Sequence, residues 1–487
     1  MNKRYILSVL LLVCSLLLSW TAALAEDALD CVNDQLINTE FNNGSAWRMC
    51  WESRQRENLV LSQVQFKPAN GQYFPVFSSL RLSQLHVTYD DSNVTYNDVT
   101  QFGLGAGYVR ELDTNDCPFG ELLGINTKPG LCVTVSDGKD LYSTAQETRR
   151  AQSLTLQSTS MVGAYAYLAT WKFFADGSIE PSIGAAGALQ RSSDDGHSHF
   201  GRKLEGSGDK SWLSHTHNYY WRLDFDLGVA ANDDIVNEIS FNIQDDGTRE
   251  KHTLRLSEES ARAVNREAMT AWEIADSGDT SNPVTYLIEP TNYGHRHVNR
   301  VNEPYTEFDF FVTRQNDCER FVSENAKFYP DCNENILEFT NNENIVGEDI
   351  VVWHRISFHH VPRNEDRSIM HSHWDGFVIE ARNLHEATPA YAGTLSDQTQ
   401  AAIERVAAET PEGDESRDYS EQVQGSKQSD TVGCSIATRH SAGTVTQTSM
   451  SIDFILLITL ATGLAIYKRR IKNNASAIKK SASQRLH

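Results

Sequence analysis

The fold class that the sequence predicts is all-β, a large antiparallel β-sandwich. Two observations predict it. From about residue 45 to 385 short segments alternate apolar and polar side chains, and clusters of Gly, Asp, Asn or Pro separate them. Successive side chains of a strand point to opposite faces, so such alternation sets one face on a core and the other toward water. At 487 residues the chain is also long enough to bury a large core.

The elements follow in order. Residues 1–25, "MNKRYILSVLLLVCSLLLSWTAALA", join a basic head to an apolar run and a small-residue exit, the pattern of a secretory signal cleaved after Ala25. A domain over 26–394 comes next. Its strands are read at "LVLSQVQF" (59–66), "LSQLHVTY" (82–89), "YYWRLDFDL" (219–227), "EISFNIQ" (238–244) and "DIVVWHRISF" (349–358). The stretch "SEESARAVNREAM" (257–269) predicts a helical interruption. Residues 395–450 are rich in Ser, Thr, Gln, Glu and Asp with little bulk, which reads as a flexible stalk. "FILLITLATGLAIY" (454–467), followed at once by "KRRIKNN", predicts a transmembrane helix over 451–468 and a basic cytoplasmic tail over 469–487. The lead "TVGCSIATRHSAGT" leaves a processed sorting signal as the rival reading. Either way the domain is expected outside the cytoplasm, in the periplasm or at the cell surface.

Charge and cysteines narrow the function class. Acidic residues number 65 against 43 basic ones, for a net charge of -22, and both termini are basic. No basic patch accompanies the aromatics, which excludes a nucleic-acid partner. Acidity serves solubility or favours cationic substrates. Beyond the signal, Cys31/Cys50, Cys117/Cys132 and Cys318/Cys332 fall into close pairs and leave Cys434 odd. In an exported chain such pairs read as disulfides, and no C-x-x-C occurs to favour zinc.

Histidines supply the first chemical candidates. His197/His199, His215/His217, His295/His297 and His371/His373 are H-x-H pairs, a spacing that lets one strand face present two imidazoles to one metal ion. The first and third lie in loop-like surroundings. His215/His217 opens a strand-like run, and "VVWHRISFHHVPRNED" offers His354, His359 and His360 as a third ligand. Three imidazoles suit copper or zinc. The phenols of Tyr165 and Tyr167 in "AYAYLATWKFFADGSIE" read equally as strand packing or as something chemical.

Taken together, these residues resemble the catalytic domain of the copper amine oxidases, the topaquinone-dependent family. "HTHNYYWRLDFDL" resembles its copper-binding H-x-H strand, and "DIVVWHRISFHHVPRNEDRSIM" the segment bearing its third copper histidine. The resemblance implies copper on His215, His217 and His360, and a topaquinone cofactor made from Tyr165. "TYNDVTQFGLG" resembles the segment with the catalytic aspartate, here Asp98, with Tyr96 as a gate. "HVTYDD" supplies Tyr89, the tyrosine that hydrogen-bonds the cofactor, and "NDCPFGELL" with "GLCVTV" the disulfide partners Cys117 and Cys132. "FFVTRQNDCER" is a further matching stretch. Asp224, Asp226 and Asp349, with the carbonyls of Phe225 and Ile350, match a peripheral calcium site, and Met370 a methionine near copper. The match runs from about Trp51 to about Pro389, without the family's small N-terminal domains. It departs at Ala164 and Ala166, where the family has Asn and an acid that help orient the ring.

What the resemblance implies is oxidative deamination of a primary amine with dioxygen, in a homodimer. The quinone acts as electron sink and Asp98 as the base that takes the α-proton. The contrasting class is a catalytically silent copper-binding or adhesive β-sandwich, which the two alanines favour.

Overall fold

Alternation in the sequence becomes two large sheets in the computed structural model. It describes residues 29–384, apart from 144–147, 193–198, 205–207, 209, 229, 279–282 and 292–301. The expected signal, stalk, span and tail lie outside the described residues, as do His197, His295 and His297. Among the described residues no helix is long and apolar enough to cross a membrane.

One sheet has nine strands. Its centre runs Asn58–Lys67, Phe74–Tyr89, His215–Phe225, Ile350–His360 and Phe310–Arg314, with Thr95–Asn97 paired beside Phe74–Tyr89. The other has eleven and includes Thr148–Val162, Tyr165–Phe174 and Ile179–Gly187, the last of which also pairs with Met370–Gly376 and Val378–Arg382. The neighbours that frame the site pair antiparallel, as predicted. Inner faces of both sheets share one core. Trp47 of the first sheet meets Phe66 at 4.7 Å between ring centroids and Phe173 of the second sheet at 5.1 Å. Its indole N–H donates to the Phe174 carbonyl, so the ring is buried with its polar handle satisfied.

The helix expected over 257–269 is not there. Ser260–Arg262 is a short strand paired with Phe310–Arg314, and the residues after it turn around the Asn265 side chain, which accepts from the N–H groups of Glu267 and Ala268. The sequence has helix formers but no apolar stripe to bury, and tertiary partners decide instead. The Arg262 guanidinium clamps the Glu238 carboxylate with two 2.7 Å bonds. Glu259 accepts from the backbone of Arg314 and Asn341.

All three close cysteine pairs are bridged: Cys31–Cys50, Cys117–Cys132 and Cys318–Cys332.

Candidate functional site

Strand register assembles the site. In the nine-stranded sheet His215 stands opposite Tyr89 on one neighbour and opposite His360 on the other. Residues opposite each other share a face, so Tyr89, His215 and His360 form one row and His217, two residues on, joins them. The imidazole centroids of His215 lie 4.8 Å from His217 and 5.3 Å from His360. Alternation also explains which member of the His359-His360 doublet arrives. His360 faces the row, while His359 pairs with Asp90 at 2.9 Å, a bond that raises its pKa.

Burial makes this row unusual. His217 is fully buried, and neither ring nitrogen has a hydrogen-bond partner among the described residues. Desolvation lowers its pKa to about 3, helped by His360 and His373, so the ring is a neutral, dry imidazole with a lone pair to offer. His360 engages Asp366 through Nε2 at 3.0 Å, leaving Nδ1 as its remaining donor atom. A carboxylate behind a ligating imidazole fixes its orientation, the usual support of a metal-binding histidine. As the side chains stand, no group of three His, Cys, Asp or Glu among the described residues is disposed to hold an ion. The donor set still fits copper: three neutral imidazoles, one of them wholly unsatisfied without a ligand.

The second sheet brings the phenol. Tyr165 opens the Tyr165–Phe174 strand, and its hydroxyl lies 3.4 Å from His215 Nε2. Its ring centroid is 5.8 Å from that of His217. Burial holds the phenol strongly in its protonated form. Tyr89, whose hydroxyl interacts with that of Tyr165, is pushed up to about 12, again by burial. Room for the Tyr165 ring comes from Gly187 on the adjacent strand. A Cβ there would fall 2.5 Å from the Ala164 carbonyl oxygen and 3.0 Å from Tyr165 Cγ. Met370 pairs across from Gly187 and is buried in the core.

Asp98 begins a four-residue helical turn, Asp98–Gln101. The turn is anchored from below: Asn97 Oδ1 meets His86 Nδ1 at 2.8 Å, and the Thr100 hydroxyl donates to Glu324 at 2.6 Å. Asp98 is only 6% exposed, and burial raises its pKa to about 6. The Tyr167 hydroxyl donates to its Oδ2 at 2.6 Å and pulls that value back down. Tyr165 and Tyr167, stacked with centroids 5.9 Å apart, therefore serve different neighbours. A cavity of about 390 Å³ touches Asp98, Tyr89, Tyr96, Tyr165 and Tyr167 together. Sequence reasoning missed Tyr167 and Asp366 as partners. For Tyr167 the signal was present, since residues two apart on a strand share a face.

The three expected calcium acids also meet. Burial raises Asp349 to about 7, with Asp224 and Asp226 adding repulsion, and Asp226 is raised as well. Asp224 and Asp349 each keep a buried Oδ1 without a partner among the described residues, while Arg222 takes Asp224 Oδ2 at 2.7 Å.

Comparisons with known proteins find relatives of this chain. A family model described as "Copper amine oxidase, enzyme domain" matches residues 137–400. The primary amine oxidase of Arthrobacter sp. (strain P1) is 26% identical over 379 residues, covering 69% of this chain and 57% of that protein. The primary amine oxidase of Pisum sativum is 24% identical over 355 residues, 63% of this chain and 52% of its own length. Among solved structures, Aspergillus nidulans amine oxidase superposes with a TM-score of 0.61 at 21% identity, over 76% of this chain and 55% of the other. The chain thus spans a little over half the length of these relatives.

Proposed function

The chain belongs to the copper amine oxidase family, and from that premise we propose that it oxidises primary amines, turning amine, dioxygen and water into aldehyde, ammonia and hydrogen peroxide. In this reading His215, His217 and His360 hold copper and Tyr165 is the precursor of topaquinone. Copper and dioxygen supply the oxidation that makes the quinone, and the quinone accepts the electrons of the amine. The observation that carries the proposal is the Tyr165 hydroxyl 3.4 Å from His215, beside an imidazole with both nitrogens unsatisfied.

The chain's own residues set up the proton transfer. An amine seated in the cavity presents its α-carbon to Asp98. With a pKa of about 6 the carboxyl is ionised at neutral pH yet basic enough to take a proton. The Tyr167 hydroxyl fixes Oδ2, so the carboxylate keeps one orientation. Tyr89 holds the oxygen side of the Tyr165 ring. Buried apolar walls, Val87 and Val162 among them, keep water out.

Calcium on Asp224, Asp226 and Asp349, with the carbonyls of Phe225 and Ile350, belongs to the same proposal and is supported by the unpartnered carboxylate oxygens. So do a homodimer and export to an oxidising compartment, where three disulfides are at home. A membrane anchor at 451–468 rests on the sequence pattern.

Copper-loaded protein made in air is expected to develop a visible quinone band, form a phenylhydrazine adduct and release peroxide when amine is added. Tyr165→Phe should do none of these. Ala164 and Ala166 favour a second reading, a copper-binding sandwich without chemistry. Copper bound tightly with no band and no adduct would establish that one.

A further inference from the structure

Cavity chemistry distinguishes among amines. The space that ends on Asp98 holds about 390 Å³, toward the small end of the roughly 300–1,000 Å³ typical of ligand sites. Its depth is read from exposure. Asp98, Val87 and Tyr167 are buried at the floor, while Phe102, 38% exposed, stands at the mouth. Between them the wall is Val162 and Tyr96. Among the described residues that line the cavity, Asp98 is the sole charged side chain. A further polar group on the lining is neutral: the Gln190 side-chain amide oxygen, which accepts from the Tyr96 hydroxyl at 3.5 Å. Nearby carboxylates are engaged elsewhere, Asp90 with His359 and Glu324 with Lys327, Thr100 and Gln101.

We infer that the preferred substrates are primary monoamines with an aromatic or bulky apolar tail, not diamines, an inference that rests on the amine-oxidase reading of this site. An amine whose reacting nitrogen and α-carbon reach Tyr165 and Asp98 extends its other end along Tyr96, Val162 and Phe102. An apolar tail there loses water-exposed surface, and an aromatic one meets two rings that accept edge-to-face packing. The second ammonium of a diamine would be stripped of water among these groups, with no carboxylate but Asp98 among the described lining residues to receive it. An ammonium paired with Asp98 instead silences the base. A very small amine fits but leaves the apolar wall unused.

Two measurements decide the matter. Calorimetric titration of Tyr165→Phe, which cannot form quinone, compares binding of 2-phenylethylamine with 1,4-diaminobutane and is independent of turnover. The aromatic amine is expected to bind about tenfold or more tightly. In the wild-type protein, kcat/KM for peroxide release should favour 2-phenylethylamine over both 1,4-diaminobutane and methylamine by a similar factor, and Phe102→Asp should move the ratio toward the diamine. Equal or inverted binding, or a ratio that Phe102→Asp leaves unmoved, overturns the inference. Absence of quinone and turnover in the wild-type protein defeats the oxidase reading instead, and the titration then still decides what the cavity prefers.

Discussion

Removing one hydroxyl, in Tyr167→Phe, tests whether Asp98 acts as the base. The Tyr167 hydroxyl donates to Asp98 Oδ2 at 2.6 Å in a site where burial has already raised the carboxyl to about 6. A hydrogen bond to a charged group contributes about 1.5–3 kcal/mol, and one pKa unit corresponds to about 1.4 kcal/mol. Losing the bond therefore moves Asp98 up by about one to two units, to between about 7 and 8. The ionised fraction at pH 7 drops from about nine-tenths to between about a half and a tenth. For a rate that needs the carboxylate, kcat/KM at pH 7 falls about two- to tenfold and recovers by about pH 9. The assay is the pH profile of kcat/KM for 2-phenylethylamine, normalised to quinone titrated with phenylhydrazine. An acid limb that stays where it is in the wild-type protein would refute the reasoning: either Asp98 is not the base or Tyr167 does not set its affinity for protons.

Three further outcomes are expected. His217→Leu should abolish copper binding yet leave the metal-free protein as stable or more so, because each orphaned buried polar atom costs about 1–3 kcal/mol; thermal unfolding with copper and with chelator measures both halves. Gly187→Ala should retain copper but lose quinone, because the added methyl collides with the Ala164 carbonyl and the Tyr165 ring; metal content and phenylhydrazine titration separate the two. Burial pushes Asp234 up to about 8, with Asp233, Asp226 and Asp276 adding to it. A carboxyl raised in the folded state gives stability that is present below its unfolded pKa near 4 and lost as pH rises through about 8. The midpoint of unfolding in chelator should therefore fall between pH 5 and pH 8, and Asp234→Asn should remove part of that fall.

How much of this was legible in the sequence varies with the physics involved. Strand alternation carries its own geometry, so His215 and His217 were placed on a common face by spacing alone, and the same rule, left unapplied, would have set Tyr165 beside Tyr167. Register is different. That His360, and not His354 or His359, stands opposite His215 depends on how three strands slide against one another. Spacing left this open, and only the resemblance chose His360. The Asp98–Tyr167 bond joins a helical turn to a strand 69 positions further along the chain, and a contact of that kind leaves no local trace. The 257–269 segment misled because propensity is local, whereas Arg262 and Glu259 answer to partners far along the chain. Asp366 lay in view six residues after His360, within "VPRNED", but a short turn had to bring it back under the ring.

The phenol and the imidazoles ride on opposite layers of the sandwich. On the proposed chemistry neither half, folded by itself, could oxidise residue 165, because the ring and the three imidazoles meet only once the two layers have closed on each other. If the quinone forms as proposed, colour would thus serve as an internal record of assembly, because every pigmented molecule has docked its sheets in correct alignment.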